Sequence, residues 1–199
     1  DIYRLPLAPN AVDVAVMVRV LHHIADVPAA LARVRRVLCP QSTFILEFAN
    51  KRHLKNILRF LVGHSVNPFD RQPYEFAPLH YDFHPAWVEG ELERTGFDVR
   101  ERLSVSLFRA NLFKRVLPPS FLARMDAALQ MIAAPLTLGP SVFLHTTAQK
   151  PGEHLPVTPE ALFCCPQCEC APLERVEGGL LCPRCDTLWP IENGVYIFK

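Results

Sequence analysis

Apolar and polar positions alternate along this chain with a period that changes several times, and each change marks an element. Residues 12–20 (VDVAVMVRV) form a near-continuous β-branched run. A parallel strand covered on both faces requires that pattern, so a central strand is expected there. Residues 28–38 follow with a helical stripe of Ala29, Leu31, Ala32, Val34, Arg35 and Leu38, ended by Cys39-Pro40, and residues 43–48 (TFILEF) supply the next strand. Together these make a βαβ unit. Residues 51–62 read as an amphipathic helix with Leu54, Ile57, Leu58 and Leu61 inside and Lys51, Arg52, Lys55 and Arg59 outside. A helix at 84–95 stopped by Gly96, a strand at 97–108, a helix at 120–133 and a strand at 141–149 complete the pattern. The order predicts a mixed α/β fold, a three-layer sandwich, with the last strand antiparallel at an inserted or edge position.

Composition adds organisation. The 199 residues carry a formal charge of +1 and 50% hydrophobic content, which suits a globular chain and gives no general attraction to nucleic acid. Nineteen prolines punctuate the sequence, and the segment 149–159 (QKPGEHLPVTP) lacks any apolar period. The expected domains are therefore 1–149, a linker at 150–159, and a small domain at 160–199. No signal peptide and no transmembrane-length apolar run is seen, and free thiols accompany a metal-binding set, so the chain reads as cytoplasmic. The first residue is Asp1 and a strand starts within a dozen residues of it, so a fragment of a longer protein is expected.

The sharpest chemical signal lies at the end of the chain. Cys165-Pro166-Gln167-Cys168 and Cys182-Pro183-Arg184-Cys185 are two knuckles whose four thiolates suit one tetrahedral zinc. Thirteen residues separate them, room for a hairpin through Glu177-Gly178-Gly179. A segment this short needs metal to fold, since a hydrophobic core seldom suffices below about 40 residues and structural zinc contributes roughly 10–16 kcal/mol. A pair of redox Cys-x-x-Cys sites is the alternative. Cys164 and Cys170 compete as ligands in principle, but the proline after the first cysteine of both knuckles favours Cys165 and Cys168. Cys39 is expected to pack as a small apolar residue.

Elsewhere, His22-His23 follow the first strand, where open α/β sheets bind ligands, with helix capping as the plainer reading. Residues 65–83 carry Phe69, Tyr74, Phe76, Tyr81 and Phe83 without a helical or strand period. A long aromatic loop of this kind reads as an acceptor-binding lid or as packing across a sheet edge. The basic residues of 51–59 read either as a solvated face or as an anchor for a membrane surface. No Ser/His/Asp or paired-carboxylate arrangement supports hydrolysis.

Three blocks carry a resemblance: Leu5-Pro6-Leu7 through Val14, Val20-Leu21-His22-His23-Ile24, and Arg36-Val37-Leu38-Cys39-Pro40. In that order and spacing the first 149 residues resemble the second half of a class I S-adenosylmethionine-dependent methyltransferase of the ubiquinone/menaquinone-biosynthesis type. The resemblance implies a partial Rossmann-like fold, S-adenosylmethionine as cofactor, and cofactor-binding roles for Asp1 at the adenine and for Arg19 and His22 in the pocket. His22 is then the candidate catalytic residue, and Tyr74 and Phe76 the candidate acceptor-binding residues. The family's glycine-rich loop and ribose-binding acidic residue have no counterpart, so the fragment alone is expected to be inactive. Cys39-Pro40-Gln41-Ser42 stands where the family has Arg-Pro-Gly-Gly. Residues 161–163, the two knuckles and 188–195 resemble the small zinc-ribbon activator of methyltransferases, with Trp189 in place of Tyr and Asn193 in place of Asp.

Both resemblances imply methyl transfer to a small-molecule or lipid-like acceptor, with zinc held by Cys165, Cys168, Cys182 and Cys185. Another methyltransferase, or the missing N-terminal half, is the implied protein partner. The competing class is a non-catalytic zinc-ribbon protein that binds and activates a methyltransferase. A nucleic-acid-binding ribbon is disfavoured, because residues 160–199 hold Glu160, Glu169, Glu174, Glu177, Asp186 and Glu192 against Arg175, Arg184 and Lys199.

Overall fold

The computed structural model describes residues 1–63, 66–108, 115–153 and 161–199, with backbone alone for 131–133. The large sheet holds β1 (Val12–Met17), β2 (Leu38–Ala49), β5 (Phe97–Val105) and β6 (Ser141–Ala148), in the order β1-β2-β6-β5. The last of these four strands in sequence, β6, is thus inserted between two earlier ones, as expected. Helices α1 (Val27–Val37), α2 (Leu54–Leu61), α3 (Pro85–Arg94) and α4 (Pro119–Ala133) alternate with the strands, giving the Rossmann-like mixed α/β fold. The linker expected at 150–159 lies largely outside the described residues.

Four sequence expectations change. Among the described residues the run at 12–20, expected as a central strand, supplies the edge strand β1, with Val14 and Val16 exposed. β-branched composition reports a preference for the pleated backbone, and the number of neighbouring strands is settled elsewhere in the chain. The gap expected between the helix end at Cys39-Pro40 and the strand at 43–48 is instead the start of β2, where Gln41 takes a left-handed φ of 59°. Residues 74–82, read as loop, contain a hairpin of β3 (Tyr74–Ala77) and β4 (His80–Asp82), with a bulge between Glu75 and Ala77. Finally, Lys51 is not a solvated helix residue. It precedes α2, is 1% exposed, and its ammonium donates to the Gln72 carbonyl and lies 3.7 Å from Asp70.

The chain forms two compact units. One comprises residues 1–15, 29–43 and 148–199, the other 16–28 and 44–147. In the second, Phe44, Leu46, Phe48, Val88, Leu92, Phe97, Val142 and Leu144 are buried, with Phe44 and Phe97 ring centroids 5.2 Å apart. Asn50, at the end of β2, is buried and donates to the carbonyls of Thr137 (2.6 Å) and Gly139 (2.8 Å). A Cβ at Gly139 would stand 2.4 Å from the Val105 carbonyl, so only glycine lets this turn approach β5.

In the first unit the approach to the ribbon is stitched to the N-terminal segment. Ala8 N–H donates to the Leu162 carbonyl (2.9 Å) and Cys164 N–H to the Pro6 carbonyl (3.1 Å), flanking a bridge between Leu7 and Phe163. Arg36 donates to the Leu5 carbonyl, and Arg33 pairs with Glu169. The ribbon is a four-stranded antiparallel sheet of β7 (Glu174–Val176), β8 (Gly179–Leu181), β9 (Leu188–Glu192) and β10 (Val195–Tyr196). Its first hairpin turns through Gly178 at φ +82°, where the sequence placed it, and its last through Asn193 and Gly194, both with positive φ. Leu173, Leu180 and Trp189 form its small apolar core with Cys165 and Cys182.

Candidate functional sites

The two knuckles fold alike. Glu169 N–H returns to the Cys165 carbonyl and Asp186 N–H to the Cys182 carbonyl, and both Glu169 and Asp186 adopt left-handed φ. This repeated turn brings the ligand atoms of Cys165, Cys168, Cys182 and Cys185 within 4.8 Å of one another. Sulfur separations are 3.4 Å for Cys168–Cys182, 3.6 Å for Cys165–Cys185 and 3.7 Å for Cys168–Cys185. A tetrahedral site with metal–sulfur bonds near 2.3 Å needs about 3.8 Å between sulfurs, so the donor set fits zinc. Hydrogen bonds from the Thr187 hydroxyl and backbone N–H hold the Cys185 thiol down at about 6, which leaves a thiolate ready at neutral pH. Cys164 is excluded by direction: its thiol donates to the Leu7 carbonyl (3.1 Å), and burial pushes its pKa up. Cys39 packs buried, as expected, and its thiol also donates to the Asn10 carbonyl.

The second unit holds a polar site built at the ends of strands. After β1 the chain turns through Arg19, whose φ of 59° is sparsely populated for a residue with a side chain. The turn is held from β2, because the Glu47 carboxylate accepts the Arg19 N–H at 2.8 Å. Glu47 is 6% exposed, and its other oxygen accepts from the Ser141 hydroxyl at the start of β6. A carboxylate buried to this degree needs such partners, and both of its oxygens have one. A short 3-10 turn, Leu21–His23, then sets His22 against His23 with ring centroids 4.0 Å apart, and His80 of β4 lies 4.7 Å from His23. Burial lowers the His22 pKa, and neighbouring His23 adds to the effect, which favours the neutral imidazole.

Two cavities share this corner. The smaller, about 300 Å³, is walled by Arg19, His22, Glu47, Phe76, His80 and Asp82. Burial raises the Asp82 pKa, against the nearby Lys51 charge. The larger, about 820 Å³, has Val18, Val105, Phe108, Leu122 and Phe143 as apolar walls, with Arg19, Glu47, Asp126 and Ser141 as its polar end. Its rim is fixed by Asp126, which accepts the N–H groups of Ser106 (3.1 Å) and Leu107 (2.8 Å). An apolar chamber with a few convergent polar groups is the usual form of a small-molecule site.

The structure thus brings Arg19, His22 and Phe76 together on one cavity wall. Tyr74 does not line it: although it pairs across the hairpin with Asp82, its side chain is exposed. Asp1 belongs to the other unit, where its exposed carboxylate accepts the Tyr3 N–H at 3.0 Å. Sequence reasoning missed Glu47, His80, Asp82, Asp126 and Ser141. Glu47 had a legible signal, a single charge inside the apolar run TFILEF. The others depend on long-range packing.

Residues 1–46 match the family model described as a methyltransferase domain. No curated protein matches the sequence. Among solved structures, an S-adenosylmethionine-dependent methyltransferase from Mesorhizobium loti is similar at 14% identity, covering 74% of this chain and 67% of that one with a TM-score of 0.49. One from Methanosarcina mazei is 13% identical over 76% of this chain and 66% of that one, TM-score 0.46. A chain from the complex between a Haloferax volcanii methyltransferase activator and a methyltransferase is 16% identical, covering 77% of this chain and 61% of that one, TM-score 0.46. This chain spans about two thirds of the length of these structures. The match over residues 1–46 supports a methyltransferase at the level of the family. Among the described residues no helix is long and apolar enough to cross a membrane.

Proposed function

We propose that the chain is part of a cytoplasmic S-adenosylmethionine-dependent methyltransferase acting on a small-molecule or lipid-like acceptor. The observation that carries this reading is the methyltransferase-domain match over residues 1–46, which contains Asp1, Arg19 and His22. S-adenosylmethionine, when bound, supplies an electrophilic methyl group on a sulfonium sulfur. Each candidate residue suits its part of the cofactor within its own unit: a carboxylate such as Asp1 accepts from an adenine amine, and a guanidinium such as Arg19 pairs with an amino-acid carboxylate.

The remaining work falls to residues of the second unit. The larger cavity offers an apolar acceptor body its walls, and Glu47 and Ser141 stand where the acceptor's polar end would lie. His22, its neutral form favoured by burial, is fit to take the proton of the attacking group. Phe76, on the β3–β4 hairpin, closes the smaller cavity. Holding the acceptor in line with the methyl group supplies most of the acceleration in such a transfer. The four-cysteine cluster binds one structural zinc, and the ribbon, stitched to residues 6–8, serves as a built-in part of its unit.

None of the eight glycines forms a Gly-x-Gly loop, so this chain by itself binds the cofactor weakly and is inactive alone. Saturation-transfer NMR with S-adenosylhomocysteine reads weak binding directly. Transfer to the adenine and homocysteine protons is expected, reduced at adenine by Asp1→Asn and at the amino-acid end by Arg19→Gln. Absence of transfer, or transfer indifferent to both substitutions, would count against the reading.

A further inference from the structure

Helix α2 carries a second surface that methyl transfer does not explain. Its sequence LKNILRFL was expected to turn its leucines inward, yet Leu54, Leu58, Leu61 and the adjoining Val62 are 47%, 55%, 71% and 75% exposed. At about 100° per residue these four side chains span one face of the helix. Lys55 and Arg59 fall on one flank of that face, one turn apart. No acidic residue occurs from Lys51 to Gly63, so the whole segment is apolar and cationic. Beside the helix runs a cleft of about 790 Å³ walled by Leu54, Leu58, Val62, Leu107 and Leu138, with Lys55 and Arg59 also lining it.

We propose that α2 docks this unit on an anionic lipid bilayer, with the leucine face in the acyl region and Lys55 and Arg59 at the phosphates. The charge decides between occupants. A second copy would bring its own cations against these, whereas an anionic headgroup layer complements an apolar face flanked by cations with no carboxylate. Leucines left in water cost free energy that insertion recovers, and lysine and arginine stems extend along the apolar boundary with their charges in the headgroups.

Flotation of the full chain with vesicles tests this. Vesicles of phosphatidylcholine mixed with phosphatidylserine should carry the protein up the gradient, and pure phosphatidylcholine vesicles much less. Lys55→Gln with Arg59→Gln should weaken partitioning about 30-fold. Leu58→Glu with Leu61→Glu should weaken it at least about tenfold while leaving the circular dichroism spectrum intact, because both side chains are already exposed. Equal binding to both vesicle types, or binding unaffected by either double substitution, would overturn the proposal. So would a failure to float combined with a dimer, by light scattering, that Leu58→Glu with Leu61→Glu dissolves, since a second copy would then cover the face.

Discussion

The proposed zinc should be what keeps the ribbon folded, so removing it should unfold the ribbon. Among the described residues its cluster of buried apolar side chains is Leu173, Leu180 and Trp189 with Cys165 and Cys182, and Phe163, Ile191 and Phe198 pack partly buried against it. At roughly 2–3 kcal/mol for each buried apolar side chain, Leu173, Leu180 and Trp189 contribute about 6–9 kcal/mol. A structural zinc contributes about 10–16 kcal/mol, more than these three side chains together. The knuckles also lose their reason to converge, because thiols 3.4–3.7 Å apart have no strong mutual attraction. Trp189, 4% exposed, reports the event, since its indole packs against the Phe198 ring at 5.5 Å, tilted by 40°, and would reach water on unfolding. The assay is tryptophan emission in a Trp87→Phe background during chelation by phenanthroline, with elemental analysis run in parallel. One zinc per chain should be lost as emission moves to the red, and Cys182→Ser should copy the chelated state. Full zinc retention in Cys182→Ser would refute the ligand assignment, and zinc loss with unchanged emission would refute the energetic argument.

Other outcomes follow from the second unit. Glu47→Ala leaves the Arg19 amide and the Ser141 hydroxyl without their partner and should cost about 1–3 kcal/mol, read as a lower thermal midpoint, while Glu47→Gln should keep much of the stability and still impair methyl transfer in the complete enzyme. Phe76→Ala should reduce turnover with little change in cofactor affinity or melting, and Tyr74→Ala should reduce it less, because Phe76 alone of the two lines the cavity; equal losses would remove the distinction. Acid should destabilise the fold. Burial lowers the pKa of His22, His53 and His84, so below the ordinary value near 6.5 the unfolded chain takes up protons that the folded one refuses. Stability then falls as pH drops from about 7 toward about 5, by at most ~1.4 kcal/mol per pH unit for each group, and a thermal midpoint that rises over this range would contradict the assignment.

The sequence by itself determined what is encoded over short spans. Apart from the β3–β4 hairpin and the early start of β2, periodicity located the strands and helices of the α/β part within a few residues, because apolar spacing of two or 3.6 is a local property of the backbone. The knuckles fixed the four-cysteine cluster equally well, since each Cys-Pro-x-Cys turn closes on itself and the hairpin between them turns at its glycines. Everything that depended on which element lies beside which came from the tertiary structure. The valines of β1 could not reveal an edge position, and the amphipathic pattern of α2 could not reveal that its apolar face is turned outward. Lys51 looked like part of a charged helix until residues 70 and 72 were found to cover it. The polar site shows the same division. His22 and Arg19 were readable from a strand end, but Glu47, Ser141, His80 and Asp82 converge on them from positions 25 to 122 residues away, and no local pattern records a hydrogen bond across such a distance. Spacing along the chain sets which way a side chain faces, and only packing decides what it meets.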